Sequence, residues 1–222
     1  MLEASVENTT TTNSTEKYSF LDQIGEPVPK SKLIGKRICD IIFGTLFGII
    51  SLPIIAIFAI LIKLTSKGPV FFKQQRVGYM GQPITIVKLR SMRNDAEKKT
   101  GAVWAKKNDP RVTSVGRFMR KTRVDELPQF WSIIKGDMSL VGPRPERFVL
   151  TQRFYEQWPE FPQRLRIIPG LTGYAQTHGG YDLKPNEKCK LDNYYIEHWS
   201  LALDFKIAFD TFKIIFTGDG AR

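Results

Sequence analysis

Apolar and polar positions recur with several different periods along this chain, and one stretch has no period at all. Residues 41–62 are 22 consecutive positions without a charge, with Lys36, Arg37 and Asp40 before them and Lys63 and Lys67 after. A helix of that length reaches about 33 Å at about 1.5 Å per residue, enough to cross a bilayer core. Two features point away from simple crossing. Cations flank both ends, whereas a spanning helix keeps its surplus on the cytoplasmic side. Pro53 falls past the midpoint, where it removes a hydrogen bond and kinks a helix. The pattern predicts a bent element that enters and leaves the same leaflet, with one straight span as the alternative. Gly44 and Gly48 either pack against another helix or let this one bend.

The remaining pattern is shorter in range. Residues 70–77 and 84–90 flank Gly78-Tyr79-Met80-Gly81-Gln82-Pro83 and read as a β-hairpin. In an alternating strand Lys88 and Arg90 share a face and can reach one anion; equally, strand cations keep an exposed edge soluble. Residues 94–110 are polar and charged, a loop with some helical character. Residues 112–124 read as a basic amphipathic helix with Val115, Phe118 and Met119 on one strip, suited to a headgroup layer. Residues 147–158 are helical and end at Pro159 and Pro162. Residues 203–216 place Phe205, Ala208, Phe209, Phe212 and Ile215 opposite Lys206, Asp210 and Lys213, a second interfacial or core-covering helix. The predicted fold class is α/β and mainly helical, with a re-entrant membrane helix hairpin, interfacial amphipathic helices and a small β-hairpin. Three parts follow: a flexible tail over 1–30, rich in Thr, Asn, Ser and Glu, a membrane-inserted helix over 31–67, and a cytosolic domain lying on the membrane over 68–222.

Composition sharpens the choice of partner. The 222 residues are one domain's worth of chain. The net charge of +11 is uneven: residues 1–30 hold two basic and five acidic side chains, net −3, leaving 31 basic against 17 acidic, net +14. Such a surplus suits nucleic acid, anionic lipid or phosphorylated substrates. No nucleic-acid fold motif accompanies it, and an apolar anchor does, so lipid and phosphate are preferred. Cys39 and Cys189 stand far apart and read as reduced thiols without a zinc site. His178 and His198 are isolated and read as structural.

The candidate chemistry is concentrated in residues 123–146. Asp125 reads as an N-cap and Glu126 as a first-turn acid, with Pro128 tolerated there and Gly136 closing a short helix. An acidic pair at the positive end of a helix dipole suits metals and phosphates, although most Asp-Glu pairs at helix starts only cap. Pro143 and Pro145 stiffen the backbone around Arg144, which presents a planar fork. Downstream, Pro169-Gly170-Leu171-Thr172-Gly173-Tyr174-Ala175-Gln176 offers glycines for a close ligand approach and an aromatic that can stack on a base.

Asp125-Glu126-Leu127-Pro128-Gln129, Lys135-Gly136-Asp137-Met138-Ser139 and Val141-Gly142-Pro143-Arg144-Pro145 resemble the signature of the small monotopic phosphoglycosyl transferases. These bacterial enzymes move a phosphosugar from a nucleotide sugar to a membrane polyprenol phosphate. Lys88-Leu89-Arg90-Ser91-Met92 and the 169–176 loop are also similar, with Tyr174 where the family has Trp, and the resemblance covers about 31–222. It implies Asp125 as a nucleophile that forms a covalent phosphosugar intermediate and releases UMP, with Glu126 and Asp125 holding Mg2+. It also implies Lys88, Arg90, Arg120 and Arg144 on the pyrophosphate, Gln129 and Pro143 at the substrate, and Tyr174 and Gln176 near the nucleotide. The family's first helix is re-entrant and breaks at a Ser-Pro pair; here Leu52-Pro53 stands there, with Ser51 one residue earlier. The implied partners are a UDP-sugar, polyprenol phosphate and anionic lipid at the cytoplasmic face of the bacterial inner membrane, with no nucleic acid and a homodimer left open. The rival is a membrane-anchored basic binding or scaffold protein without catalysis.

Overall fold

The computed structural model describes residues 18–96, 109–179 and 183–217, with side chains as far as 214. Most of the polar loop predicted over 94–110 lies outside the described residues. The longest element is α1 (Ile34–Thr65), 32 residues, or about 48 Å at about 1.5 Å per residue. It runs through Pro53 as one uninterrupted helix, which corrects the expected break at that proline. A proline costs the helix one donor and displaces one carbonyl, and residues on both sides of it, Gly44 and Ile62 among them, are buried against the domain. The Ser51 hydroxyl donates to the Gly48 carbonyl at 2.7 Å. A polar side chain therefore serves the turn before the proline, one residue earlier than a Ser-Pro pair would place it.

One stripe of α1 faces protein and the other faces outward. Lys36, Asp40, Gly44, Ser51 and Ile62 are buried, while Ile49, Leu52, Ile57, Ile60 and Leu64 are exposed. The buried spacings are three to four residues or multiples of them, so the helix lies lengthwise along the domain. Gly44 and Gly48 settle their own alternative. A methyl group at Gly44 would come within 3.1 Å of Ile133, and one at Gly48 within 3.6 Å of Phe130. Both glycines thus let α1 press against α3 (Phe130–Lys135).

Buried polar ties fasten the N-terminal end. The Lys36 ammonium donates to the Val141 carbonyl at 2.6 Å and to Asp204 at 2.8 Å, and reaches the Tyr195 hydroxyl at 3.2 Å. Tyr195 and the Trp199 indole also donate to Asp204. Asp40 accepts from the Ser139 hydroxyl and the Leu140 amide. Arg37 donates to the Ile133 and Ile134 carbonyls at 2.6 Å each, satisfying the C-terminal end of α3. At the other end Arg90 donates to the Ser66 carbonyl at 2.9 Å and to that of Lys67, while Ile62 packs with Leu89 and Met119.

The predicted hairpin is present: β1 (Phe71–Val77) pairs antiparallel with β2 (Pro83–Leu89), Phe71 opposite Leu89. The basic helix is α2 (Ser114–Lys121), shorter than expected, with Thr113 accepting from the Gly116 amide as a cap. Within its strip Met119 is buried and Phe118 is exposed, stacked on Phe58 of α1. A second, parallel pair was not predicted: β3 (Ser139–Val141) with β4 (Gly170–Thr172). A methyl group at Gly170 would stand 2.1 Å from the Gly142 amide nitrogen. The glycines of the 169–176 loop therefore admit a neighbouring backbone, where the sequence suggested a ligand.

Four more helices complete the domain: α4 (Phe148–Gln157), α5 (Tyr174–His178), α6 (Pro185–Glu197) and α7 (Leu201–Thr217). On α7 the residues facing the core are Asp204 and Ile207, while Phe205, Phe209 and Phe212 are exposed. Within this strip Phe205 and Phe212 touch Phe43 and Phe47 of α1. Residues 18–30, read as part of the flexible tail, are placed on the domain, with Phe20 fully buried with Val77 and Leu165.

Removing Asp204 strands the Lys36 ammonium in the core, a loss of about 3–5 kcal/mol. Asp204→Ala should lower the unfolding midpoint accordingly in detergent, and Lys36→Met with Asp204→Leu should recover most of it. An unchanged midpoint in the single variant would show that water reaches this pair.

Candidate active site

Asp125 and Glu126 lie in a 3-10 turn, Val124–Gln129, that runs directly into α3, closed by Gly136 at φ 96°. The expected N-cap role of Asp125 does not hold. The cap position belongs to Arg123, left-handed at φ 59° with no side-chain cap bond, and Asp125 sits one residue inside the turn. A non-glycine residue in that region is uncommon and costs backbone energy. Here it aims both carboxylates at the domain, where they are buried.

The two acids have opposite environments. Glu126 Oε1 accepts from the Lys88 ammonium at 2.6 Å and from the Arg144 guanidinium, while Arg123 stands 3.8 Å from Oε2. Burial alone would raise this carboxyl, but Arg144, Lys88 and Arg123 outweigh it and hold it well below the usual range. Asp125 accepts no hydrogen bond from the described residues. Burial pushes its pKa up to about 6, the Glu126 charge adds to that, and Lys88, Arg120 and Arg144 oppose it. Lys88 is itself lowered by burial, against the pull of Glu126.

A cavity of about 480 Å³ opens over the pair and brings together Lys88, Arg90, Arg120, Arg144 and Gln176 from the predicted set. The Arg120 Nε donates to the Ser91 hydroxyl at 2.9 Å. Two nitrogens of Arg90 are committed to the end of α1, so this side chain fastens the long apolar helix to the cavity wall. The other three predicted residues do not line the cavity. Gln129 is 1% exposed beneath the turn. Pro143 offers its carbonyl to the Gly170 amide at 3.0 Å. Tyr174 stacks on His178 at 3.9 Å and leans on Tyr194, which also gives His178 the structural role expected of it.

A further set of charges, with Arg76, Glu146 and Lys188 in the cavity wall itself, had no signal in the sequence. Glu146 pairs with Lys188 and Arg76, whose charges outweigh burial and hold it down at about 2. Arg164, buried and paired with Asp192, donates to the Arg144 carbonyl at 2.8 Å. These partners come from α4's approach, α6 and the hairpin, and only folding brings them together.

An acidic pair thus opens onto a cationic cavity beside a long apolar helix. The chain belongs to the bacterial sugar transferase family, whose model matches residues 31–218. It is 55% identical over 130 residues to a Bacillus subtilis (strain 168) protein provisionally named undecaprenyl-phosphate N-acetylgalactosaminyl 1-phosphate transferase, covering 59% of this chain and 72% of that one. It is 43% identical over 190 residues to the UDP-N-acetylgalactosamine-undecaprenyl-phosphate N-acetylgalactosaminephosphotransferase of Aeromonas hydrophila, covering 84% of this chain and 45% of that one. It is 37% identical to the UDP-glucose:undecaprenyl-phosphate glucose-1-phosphate transferase of Caulobacter vibrioides (strain ATCC 19089 / CIP 103742 / CB 15), over 89% of this chain and 76% of that one. The chain spans less than half the length of several relatives it matches, the Aeromonas protein among them.

The raised pKa of Asp125 has a consequence for stability. A carboxyl that holds its proton more tightly when folded loses stability as pH rises from about 4 through about 6. Above that window the ionised group costs on the order of 1–3 kcal/mol. Asp125→Asn should therefore raise the unfolding midpoint at pH 7.5, and the gain should vanish at pH 4. Equal midpoints at both pH values would mean that Asp125 is not desolvated.

Proposed function

We propose that this chain transfers a sugar phosphate from a UDP-sugar to undecaprenyl phosphate in two steps, with Asp125 as nucleophile. The observation that carries this reading is the pairing of a Glu126 whose Oε1 is taken by two cations with an Asp125 that accepts no hydrogen bond from the described residues. Oε1 of Glu126 holds Lys88 and Arg144, whereas Asp125 keeps lone pairs for a substrate and a pKa that leaves it ionised near neutrality. In the first step an Asp125 oxygen bonds to the sugar-bearing phosphorus as its bond to the bridging oxygen breaks, and UMP leaves with that oxygen. Lys88, Arg120 and Arg144 meet the charge that develops there. In the second step an oxygen of undecaprenyl phosphate bonds to the same phosphorus, and the acyl phosphate bond breaks to restore the carboxylate. The product is a diphosphate-linked sugar lipid, the starter unit of an exopolysaccharide, capsule, O-antigen or protein glycan.

The donor set suits Mg2+. Among the described residues no cluster of three His, Cys, Asp or Glu side chains occurs, and magnesium takes one or two carboxylates plus substrate phosphate while keeping its waters. Asp125 and Oε2 of Glu126 would hold it, and the ion would neutralise pyrophosphate charge.

The way α1 lies supports membrane attachment on one face. Both of its ends are fastened to the same domain and its buried stripe runs lengthwise, so a crossing α1 would drag that domain into hydrocarbon. Phe118, Phe205 and Phe209 add an apolar rim, and the basic surplus of residues 31–222 suits anionic headgroups. Ser31→Cys and Lys67→Cys, in a background lacking Cys39 and Cys189, should both label from the cytoplasmic side only. Labelling of either from outside would establish a span.

Donor alone, with no lipid acceptor, should release UMP and leave a phosphosugar adduct on the peptide holding Asp125, as read by intact-mass and peptide mass spectrometry. The first step should slow as pH falls through about 6. Asp125→Asn should abolish the adduct. An adduct that persists in that variant, or maps elsewhere, overturns the assignment, and a purely basic binding module would release no UMP at all.

A further inference from the structure

A second cavity, about 590 Å³, lies on the opposite side of the 3-10 turn, between α1, α3 and α7. Its walls are aromatic: Phe43 meets Phe205 edge to face at 6.3 Å, and Phe47 touches both Phe130 and Phe212 at about 6 Å. Most of the groove is apolar, yet three of its lining residues, Arg123, Glu126 and Gln176, also line the cationic cavity. The Oε1 of Gln176 is buried there without a partner among the described residues. The two spaces therefore meet at one carboxylate, one of them polar and the other apolar and walled by the membrane-type helix.

We propose that this groove seats the isoprene units nearest the phosphate of the polyprenyl phosphate acceptor, with the phosphate passing the Arg123–Gln176 wall to reach Asp125. The assignment rests on the reading of function given above. Three observations commit the groove to this occupant rather than to a bulk acyl chain. It borders the cationic site, sharing Arg123, Glu126 and Gln176 with it, so an occupant with a hydrocarbon in the groove can present a phosphate across those residues. Its volume falls within the range of about 300–1,000 Å³ typical of small-molecule sites, enough for the first few isoprenes of a long chain whose remainder stays in the bilayer. The water-soluble donor already has a polar cavity of its own, and two chemically opposed substrates are each matched by one of two spaces that share Glu126.

Two native features make the test direct. Cys39 lines the groove and is partly exposed, whereas Cys189 is buried and its thiol is pushed up to about 12 by burial, which keeps it inert to alkylation. The full chain in phosphatidylglycerol–phosphatidylethanolamine vesicles is treated with a maleimide, without donor, with or without added undecaprenyl phosphate. At about ten times its Kd the lipid should slow alkylation of Cys39 about ten-fold. Ala208→Cys, on the opposite wall, supplies a second reporter should Cys39 react too slowly to follow. No protection at either position overturns the proposal, as does equal protection by extra phosphatidylglycerol, which would make the groove a seat for bulk lipid. Ala208→Leu, which narrows the groove, should raise the KM for undecaprenyl phosphate while UMP release from donor alone is unchanged. Equal loss of both half-reactions would mean a merely structural role for this wall and would count against the proposal. Protection needs no turnover, so a protected Cys39 in a protein that releases no UMP would sink the transferase reading and leave the groove assigned.

Discussion

Burying Glu126 is affordable only because Lys88 and Arg144 converge on one of its oxygens, and much of the structure follows from that demand. Lys88 must arrive from β2 and Arg144 from the turn after β3, so the hairpin and the parallel pair are drawn to the same 3-10 turn. A buried carboxylate with one cation would remain poorly compensated; with two it becomes a fixed anion that gathers positive charge. Those same cations face Asp125, which lacks comparable ties and so keeps its raised pKa. One acid is neutralised by the protein, and the other faces the cavity without a hydrogen-bond donor from the described residues.

The membrane element is bound to this arrangement rather than appended to it. The residues after the acidic pair form α3, against which Gly44 and Gly48 press α1, and Arg37 closes the far end of α3. Arg90 leaves the strand of Lys88 and grips the other end of α1. α1 is thus tied at both ends to the elements that carry the carboxylates and their cations. This geometry lets a site that handles a soluble phosphate also face a hydrophobic groove.

Buried ion pairs recur around the site, Glu146 with Lys188 and Arg76 in the cavity wall and Arg164 with Asp192 next to the Arg144 carbonyl. Their net contribution to stability is small, because desolvation offsets most of the attraction. Their effect is geometric. Arg164 holds the Arg144 carbonyl, which fixes the loop from which the Arg144 fork is presented.

The sequence by itself determined the features that depend on local pattern. The uncharged run over 41–62, the hairpin around Gly78–Pro83, the close of α3 at Gly136 and the acidic pair beside Arg144 were all legible, because hydrophobic period, turn chemistry and covalent adjacency act over a few residues. Tertiary structure alone decided what each polar group touches. It sent Arg90 to the end of α1, Gln129 beneath the turn, Pro143 and Tyr174 away from the cavity, and moved the cap from Asp125 to Arg123. It also carried α1 through Pro53, since packing along both halves outweighs one lost hydrogen bond. Two three-residue strands paired across glycines that looked ready for a ligand, and Phe20 drew a polar-looking leader onto the core. Each of these outcomes turns on residues distant in sequence competing for the same burial or the same charge, and no local pattern records which of them prevails.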